Sequence, residues 1–345
     1  MHFANLLQPW ILLRLVAGLV AVVLFTRAAQ TSWRVLRAFN VSRATEGQLA
    51  LERRAELAST FVRVATVVQV AILALSMLAG DRLSGSIRGA MCGYGVFRAT
   101  PWGFRSLAAT TLTALAAGVV AQLYVLDARV RGLDLVRSLA KATLILAPLA
   151  VVDFGLALAF ALDLDLTVVA SCCSVQLDSV ASGAAGPTGL GAATRIFATT
   201  GAAIAIALSI ALAWIAARRP RVPIVLAAAA ASLVALPFAL AASVLEVAPH
   251  AFEVPQHVCP FCLLRPSVFA IGYPLFGAIL LAATWALGAG IGALLARTDA
   301  SRSALTSFAR DRLRREAFAW GAVLVIGAIP IARYAIVSGG ASLFP

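Results

Sequence analysis

Apolar residues gather in eight runs along the chain, at about 9–28, 60–79, 107–127, 138–162, 194–217, 222–246, 266–296 and 317–338. A helix needs roughly 20 mostly apolar residues to cross the hydrocarbon of a bilayer. The pattern therefore predicts an all-α, polytopic transmembrane bundle of about eight spanning helices. The seventh run exceeds what a bilayer requires, so that helix tilts or extends beyond it. The second begins close to Arg63, a cost at the edge of a span. Residues before Trp10 carry no Arg or Lys, and Arg27 follows the first run, so this run reads as a retained span rather than a cleaved signal.

Composition agrees with the pattern. Of 345 residues, 61% are hydrophobic and 12% charged. Soluble chains carry roughly 25% charged residues. One integral domain, 1–345, uses the whole chain, with the lipid bilayer as its solvent.

The net charge of +13 has two readings. Nucleic-acid binding is excluded, because no basic run is interleaved with aromatics on which bases would stack. Topology accounts for the charge instead, since cytoplasmic loops of membrane proteins accumulate Arg and Lys. Segments 27–58, 128–141, 218–221 and 297–316 hold nineteen such residues; the alternate loops hold five, four of them in 80–106 (Arg82, Arg88, Arg98 and Arg105). This places both termini outside and the chain as a multi-pass protein of a bacterial-type inner membrane. Two arginine-rich segments, 29–58 and 298–316, are expected to be amphipathic or charged cytoplasmic pieces. Thr45 and Gln48 have the spacing of a capping box, and Leu49, Leu57 and Phe61 recur at near-helical intervals. Such segments lie at the headgroups or dock a cytoplasmic partner such as a transporter ATPase.

All five cysteines fall in the three outer loops, 80–106, 163–193 and 247–265. Packing alone would scatter some into the helices. Their segregation points to chemistry or crosslinking in an oxidising compartment. His257-Val258-Cys259-Pro260-Phe261-Cys262 precedes the seventh run. A CxxC at a helix N-terminus gains from the dipole and free N–H groups, which favour a thiolate, and Pro260 suits the first turn. The same segment offers His257 and two sulfurs to a soft metal. Cys172 and Cys173 are neighbours, so each is expected to reach another loop or a metal rather than the other. Met91 and Cys92 supply a thioether and a thiolate, both suited to Cu(I). The cysteine loops recur at the natural interval of helical hairpins and share little else.

A CxxC at the outer end of a helix, with further cysteines in an outer loop, resembles the quinone-linked disulfide-forming membrane proteins, including the vitamin K epoxide reductase-like group. The resemblance is one of arrangement over a small part of the chain. Those proteins have about half as many helices, and their loop pair is not vicinal. It implies thiol–disulfide exchange through Cys259, Cys262, Cys172 and Cys173, with quinone as electron acceptor.

Arg14, Asp153 and Arg333 lie inside predicted spans. An isolated charge there costs on the order of 2.5–3.5 kcal/mol, so partners or a polar cavity are expected, with Pro148 opening the helix near Asp153. No phosphate loop, HExxH or complete haem-attachment motif occurs. Three functions follow. The first is a thiol–disulfide electron relay at the outer face, working with an extracytoplasmic thiol protein. The second is copper handling or transport with a metal carrier, using Met91, Cys92, Cys172, Cys173, His257, Cys259 and Cys262. The third is a permease-like or structural subunit with disulfide-braced loops.

Overall fold

The computed structural model describes residues 7–38, 46–87, 90, 92–130, 134–165 and 192–344. Met91, Cys172 and Cys173 lie outside the described residues. The described chain is helical and holds no strand. Its helices are α1 (Pro9–Ala38), α2 (Glu46–Ser84), the short α3 (Gly93–Arg98), α4 (Gly103–Asp127), α5 (Val136–Asp163), α6 (Ala192–Arg218), α7 (Val222–Ala242), the short α8 (Ala248–Phe252), α9 (Gly272–Leu295) and α10 (Asp299–Val337). A π-helical turn, Ser243–Val247, joins α7 to α8.

All eight predicted spans are present as helices long and apolar enough to cross a membrane. This is a multi-pass membrane protein. Three helices run well beyond the apolar stretch. α1 continues through Ala38, α2 begins at Glu46, and α10 begins at Asp299. Thr45, which was expected to open a capping box, lies outside the described residues. The segment 301–316 is not a solvated appendage: Ala304, Leu305, Phe308, Ala309, Arg312, Leu313 and Glu316 are buried along one face of α10. Leu305, Phe308 and Leu313 join Leu126, Leu135, Ala217 and Ala293 in the largest core cluster. A capping box starts this helix. Thr298 Oγ1 accepts from Ser301 N at 3.2 Å, and Ser301 Oγ accepts from Thr298 N at 3.0 Å.

The helices form two sets of four with the same internal pairing. In the first, α1 packs on α2 and α5, and α4 packs on the same two. In the second, α6 packs on α7 and α10, and α9 packs on the same two. Cys92 and Cys259 fall at matching places in the two sets, each after the second spanning helix. The third spanning helix of each set forms the seam. Consistent with that, 56% of the spanning window is buried in α4 and α9, against 22–33% elsewhere. In lipid, close backbone approach and interhelical hydrogen bonds hold such seams. Gln122 on α4 donates to the Thr284 carbonyl on α9 at 2.8 Å. It can do so because Gly288 leaves room, where a Cβ would lie 2.8 Å from Gln122 Oε1.

Candidate metal centre

At the end opposite the arginine-rich segments, two connections meet over the seam. Cys92 closes the α2–α3 connection as the residue capping α3, in extended conformation. Cys259 and Cys262 come from the long connection between α8 and α9. The CxxC does not open α9, as the apolar run at 266–296 suggested. Cys259 precedes a five-residue 3-10 turn, Pro260–Leu264. A second such turn, Pro266–Val268, and two left-handed residues, Phe269 (φ 57°) and Ala270 (φ 52°), separate it from Gly272. Pro260 does occupy the first turn, as expected. The dipole available to these sulfurs is that of a single short turn, far below a full helix.

The three sulfurs converge. Cys92, Cys259 and Cys262 lie with all Sγ atoms within 4.8 Å of one another. Cys92 Sγ and Cys259 Sγ are 3.5 Å apart. None of the three is in a disulfide. All are buried, with 0%, 2% and 5% of their surface exposed. Their surroundings are apolar: Phe97, Phe261 and Leu264 pack with them, flanked by Met77, Tyr94, Phe160 and Phe276. Tyr94, Phe97, Phe104 and Phe261 meet ring to ring, with centroids 5.3–6.2 Å apart. Hydrogen bonding with Cys259 and Cys92, then burial, push the Cys262 thiol well above the ordinary thiol range.

His257 stands beside this trio but outside it. Its ring stacks on Phe252 with centroids 4.0 Å apart, and Nε2 is buried with no hydrogen-bond partner. Burial lowers its pKa, while the charge it senses from Cys92 raises it in part. Of the sequence candidates, the structure therefore unites Cys92, Cys259 and Cys262 and keeps His257 adjacent.

The intramembrane charges divide. Arg14 and Asp153 are buried and paired, Arg14 Nη2 donating to Asp153 Oδ1 at 2.8 Å. α5 continues as a helix on both sides of Pro148. The four helices of the first set each contribute to this network. Thr110 Oγ1 donates to Asp153 Oδ1 at 2.6 Å, Gln69 Nε2 to Oδ2 at 2.6 Å, and Arg14 Nε to Ser76 Oγ at 2.9 Å. Arg333 takes no part. It pairs with Glu253 at 3.2 Å at a half-exposed position near the cysteine connections. A cavity of about 30 Å³, room for one water, lies between the network and the aromatic shell. Arg14, Ser76 and Ser106 line it on one side, and Phe97, Leu107 and Phe160 on the other.

Sequence reasoning missed Gln69, Ser76 and Thr110. Gln69 and Ser76 stand seven residues apart, two helical turns, and so share a face of α2. That spacing of polar residues inside an apolar run was the available signal. It also missed Glu316 as a buried group: Glu316 is 0% exposed, and Ser209 donates to its Oε1 at 3.1 Å.

Compared with family models, with curated proteins and with solved structures, the chain matches none.

Proposed function

We propose that this membrane protein binds a single soft, thiophilic metal ion of the Cu(I) type through Cys92, Cys259 and Cys262, at the membrane face away from the cytoplasm. The convergence of three buried sulfurs carries the reading. Three thiolates about 2.3 Å from a central ion stand about 4 Å from one another. A trio within 4.8 Å, with Cys92 and Cys259 at 3.5 Å, needs only small adjustments of either sign. Soft thiolates favour Cu(I), zinc and iron–sulfur centres over hard cations. A bound cation also offsets the cost of holding thiolates in an aromatic shell. Three ligands suit a trigonal ion, whereas structural zinc takes four, and His257 would have to leave its stack on Phe252 to supply the fourth. The distribution of arginines supports the orientation.

Burial separates this reading from a relay. Reactive cysteines sit in partly exposed, electropositive surroundings. A partner protein's thiol has no approach to sulfurs that are at most 5% exposed, while an ion needs only a narrow path. One observation favours the relay as a second reading: the 3.5 Å contact between Cys92 and Cys259. Oxidation there would join the two sulfurs and pass two electrons and two protons to an acceptor of the quinone class.

The test uses reduced, full-length protein in detergent, loaded anaerobically with Cu(I) against a competing chelator. One Cu(I) per chain is expected, with retention lost in Cys92→Ser and in Cys262→Ser. Wild-type protein that retains no copper, or a Cys92→Ser variant that retains it fully, would overturn the proposal. A Cys92–Cys259 crosslink after mild oxidation of the copper-free protein, found by peptide mapping, would favour the relay.

A further inference from the structure

Three arginines meet at the arginine-rich end of the molecule, where the two helix sets come together. Arg129 lies in the turn that follows α4, and Arg312 and Arg315 lie on α10. All three surround one carboxylate, Asp311. Arg315 Nε is 3.0 Å from Asp311 Oδ1, and Arg129 Nη2 and Arg312 Nη2 are 3.5 Å and 3.7 Å from Oδ2. Arg129 and Arg312 also share the ring of Phe308, at 5.8 Å and 5.4 Å from its centroid. Among the described residues, Asp311 is the one carboxylate within 4.0 Å of these guanidinium groups. Two of the three positive charges are therefore unmatched. The group is separate from the cysteines, and nothing about it rests on the metal reading.

A topology signal alone would ask less of the fold, because charge in an exposed loop is enough to bias orientation. Arg312 is instead 8% exposed, and its Nε is buried with no hydrogen-bond partner. Each guanidinium offers five N–H donors. Across the three, the side chains make one hydrogen bond to the described residues, Arg315 Nε donating to Asp311 Oδ1 at 3.0 Å. The contacts of Arg129 and Arg312 with Asp311 are ion pairs, too long for a good N–H···O bond. Crowded cations with unused donors ask for an anion that has several acceptor oxygens. A phosphate group has that character, and arginine is the side chain suited to it.

Depth, and the surface that follows the cluster, narrow the class of phosphate. α10 is continuous from the cluster into the eighth apolar run, which begins at 317. At about 1.5 Å per residue, Asp311 and Arg315 stand within about 10 Å of its start, at the level of lipid headgroups. Phe318, Val325 and Ile329 continue the face of α10 that carries Asp311 and Arg315, and they are 67%, 65% and 54% exposed. A soluble phosphate compound gains nothing from that stripe, whereas acyl chains cover it. We propose that Arg129, Arg312 and Arg315 bind the phosphate of an anionic phospholipid whose chains lie along Phe318, Val325 and Ile329. A lipid with two phosphates matches the two unmatched charges. Arg129 belongs to the first helix set and the other two arginines to the second, so the bound headgroup bridges the sets.

The experiment incubates delipidated, full-length protein in detergent with tetraoleoyl cardiolipin, which carries two phosphates, or with dioleoyl phosphatidylcholine, which carries no net charge. Lipid that stays with the protein through gel filtration is counted by mass spectrometry. One cardiolipin per chain is expected to be retained at concentrations where phosphatidylcholine is lost. Arg129→Gln and Arg315→Gln, both at exposed positions, should each weaken retention about tenfold, the loss of one charge-assisted hydrogen bond. They decide the matter if Arg312→Gln, at the buried member, does not purify. Arg302→Gln removes an equal charge about two and a half turns before Asp311 on the same helix and should leave retention unchanged. Equal retention of the two lipids, an equal loss in Arg302→Gln, or unchanged retention in the folded cluster variants would each overturn the assignment. So would displacement of cardiolipin by inorganic phosphate at an ionic strength where chloride leaves it bound, which would give the arginines to a soluble phosphate compound instead.

Discussion

Both four-helix sets bury a carboxylate on their last helix, and they treat it differently. In the first set, Asp153 receives hydrogen bonds from Arg14, Thr110 and Gln69, one from each of the other three helices. In the second, Glu316 receives one from Ser209 and is also hydrogen-bonded with Ser232. Nearby Ser232 is engaged by the Trp320 indole N–H at 2.8 Å. The first arrangement is an ion pair whose two members hold each other and are held in turn. The second is a lone carboxyl in a polar niche. Removing one member of a pair strands the other, whereas a lone group leaves little behind.

Three tests probe that contrast, from the largest effect to the smallest. Arg14→Ala strands Asp153 and should cost about 3–5 kcal/mol, the usual penalty for breaking a buried ion pair. Denaturation of the purified protein in detergent measures it. The double variant Arg14→Met/Asp153→Leu should recover most of the loss. If the single variant is as stable as wild type, the network is not what holds the first set.

The second compares glycines. A Cβ at Gly18 on α1 would lie 2.9 Å from Arg14 Nη1 and 3.0 Å from the Phe154 ring, while one at Gly321 on α10 would meet nothing within 4 Å. Gly18→Ala should therefore destabilise by about 1–3 kcal/mol through overpacking. Gly321→Ala should be neutral, or stabilising by up to about 1 kcal/mol from helix propensity. Equal midpoints for the two variants would refute this reading of the Arg14 niche. The third is Glu316→Gln. The amide oxygen can still accept from Ser209, so stability should change by less than about 1 kcal/mol. A loss as large as that of Arg14→Ala would mean that Glu316 has a partner the contrast denies it.

Much of the fold was legible in the sequence because lipid imposes a simple length rule. The eight spans follow from apolar runs, but the rule is silent where a helix leaves the bilayer. The extensions at 46–59 and 299–316 were readable as amphipathic or charged segments, but not as parts of the spanning helices with which they are continuous. In the last, the buried face at Leu305, Phe308 and Leu313 was hidden among arginines. The rule also fails for apolar residues that are not helical. Residues 266–271 look like the start of a span and are a 3-10 turn followed by two left-handed residues. The cysteines were visible as a class, but which of them meet was not. Cys92 and Cys259 are 167 residues apart in sequence, and only the seam between α4 and α9 brings their connections together. The duplicated pairing of the helix sets was unreadable for a related reason. It lies in which helices touch, and apart from cysteine the connecting segments share little.

The division of the three sulfurs between the two helix sets has a consequence for biogenesis. The first set brings one sulfur, and the second brings two. A nascent chain that has inserted α1 to α5 has Cys92 without Cys259 and Cys262. Only when the connection ahead of α9 has emerged and α9 has docked on α4 do three sulfurs stand together. If the site holds the proposed ion, its acquisition would mark a chain made as far as α9, and a truncated product ending before Cys259 would leave the ribosome without the site.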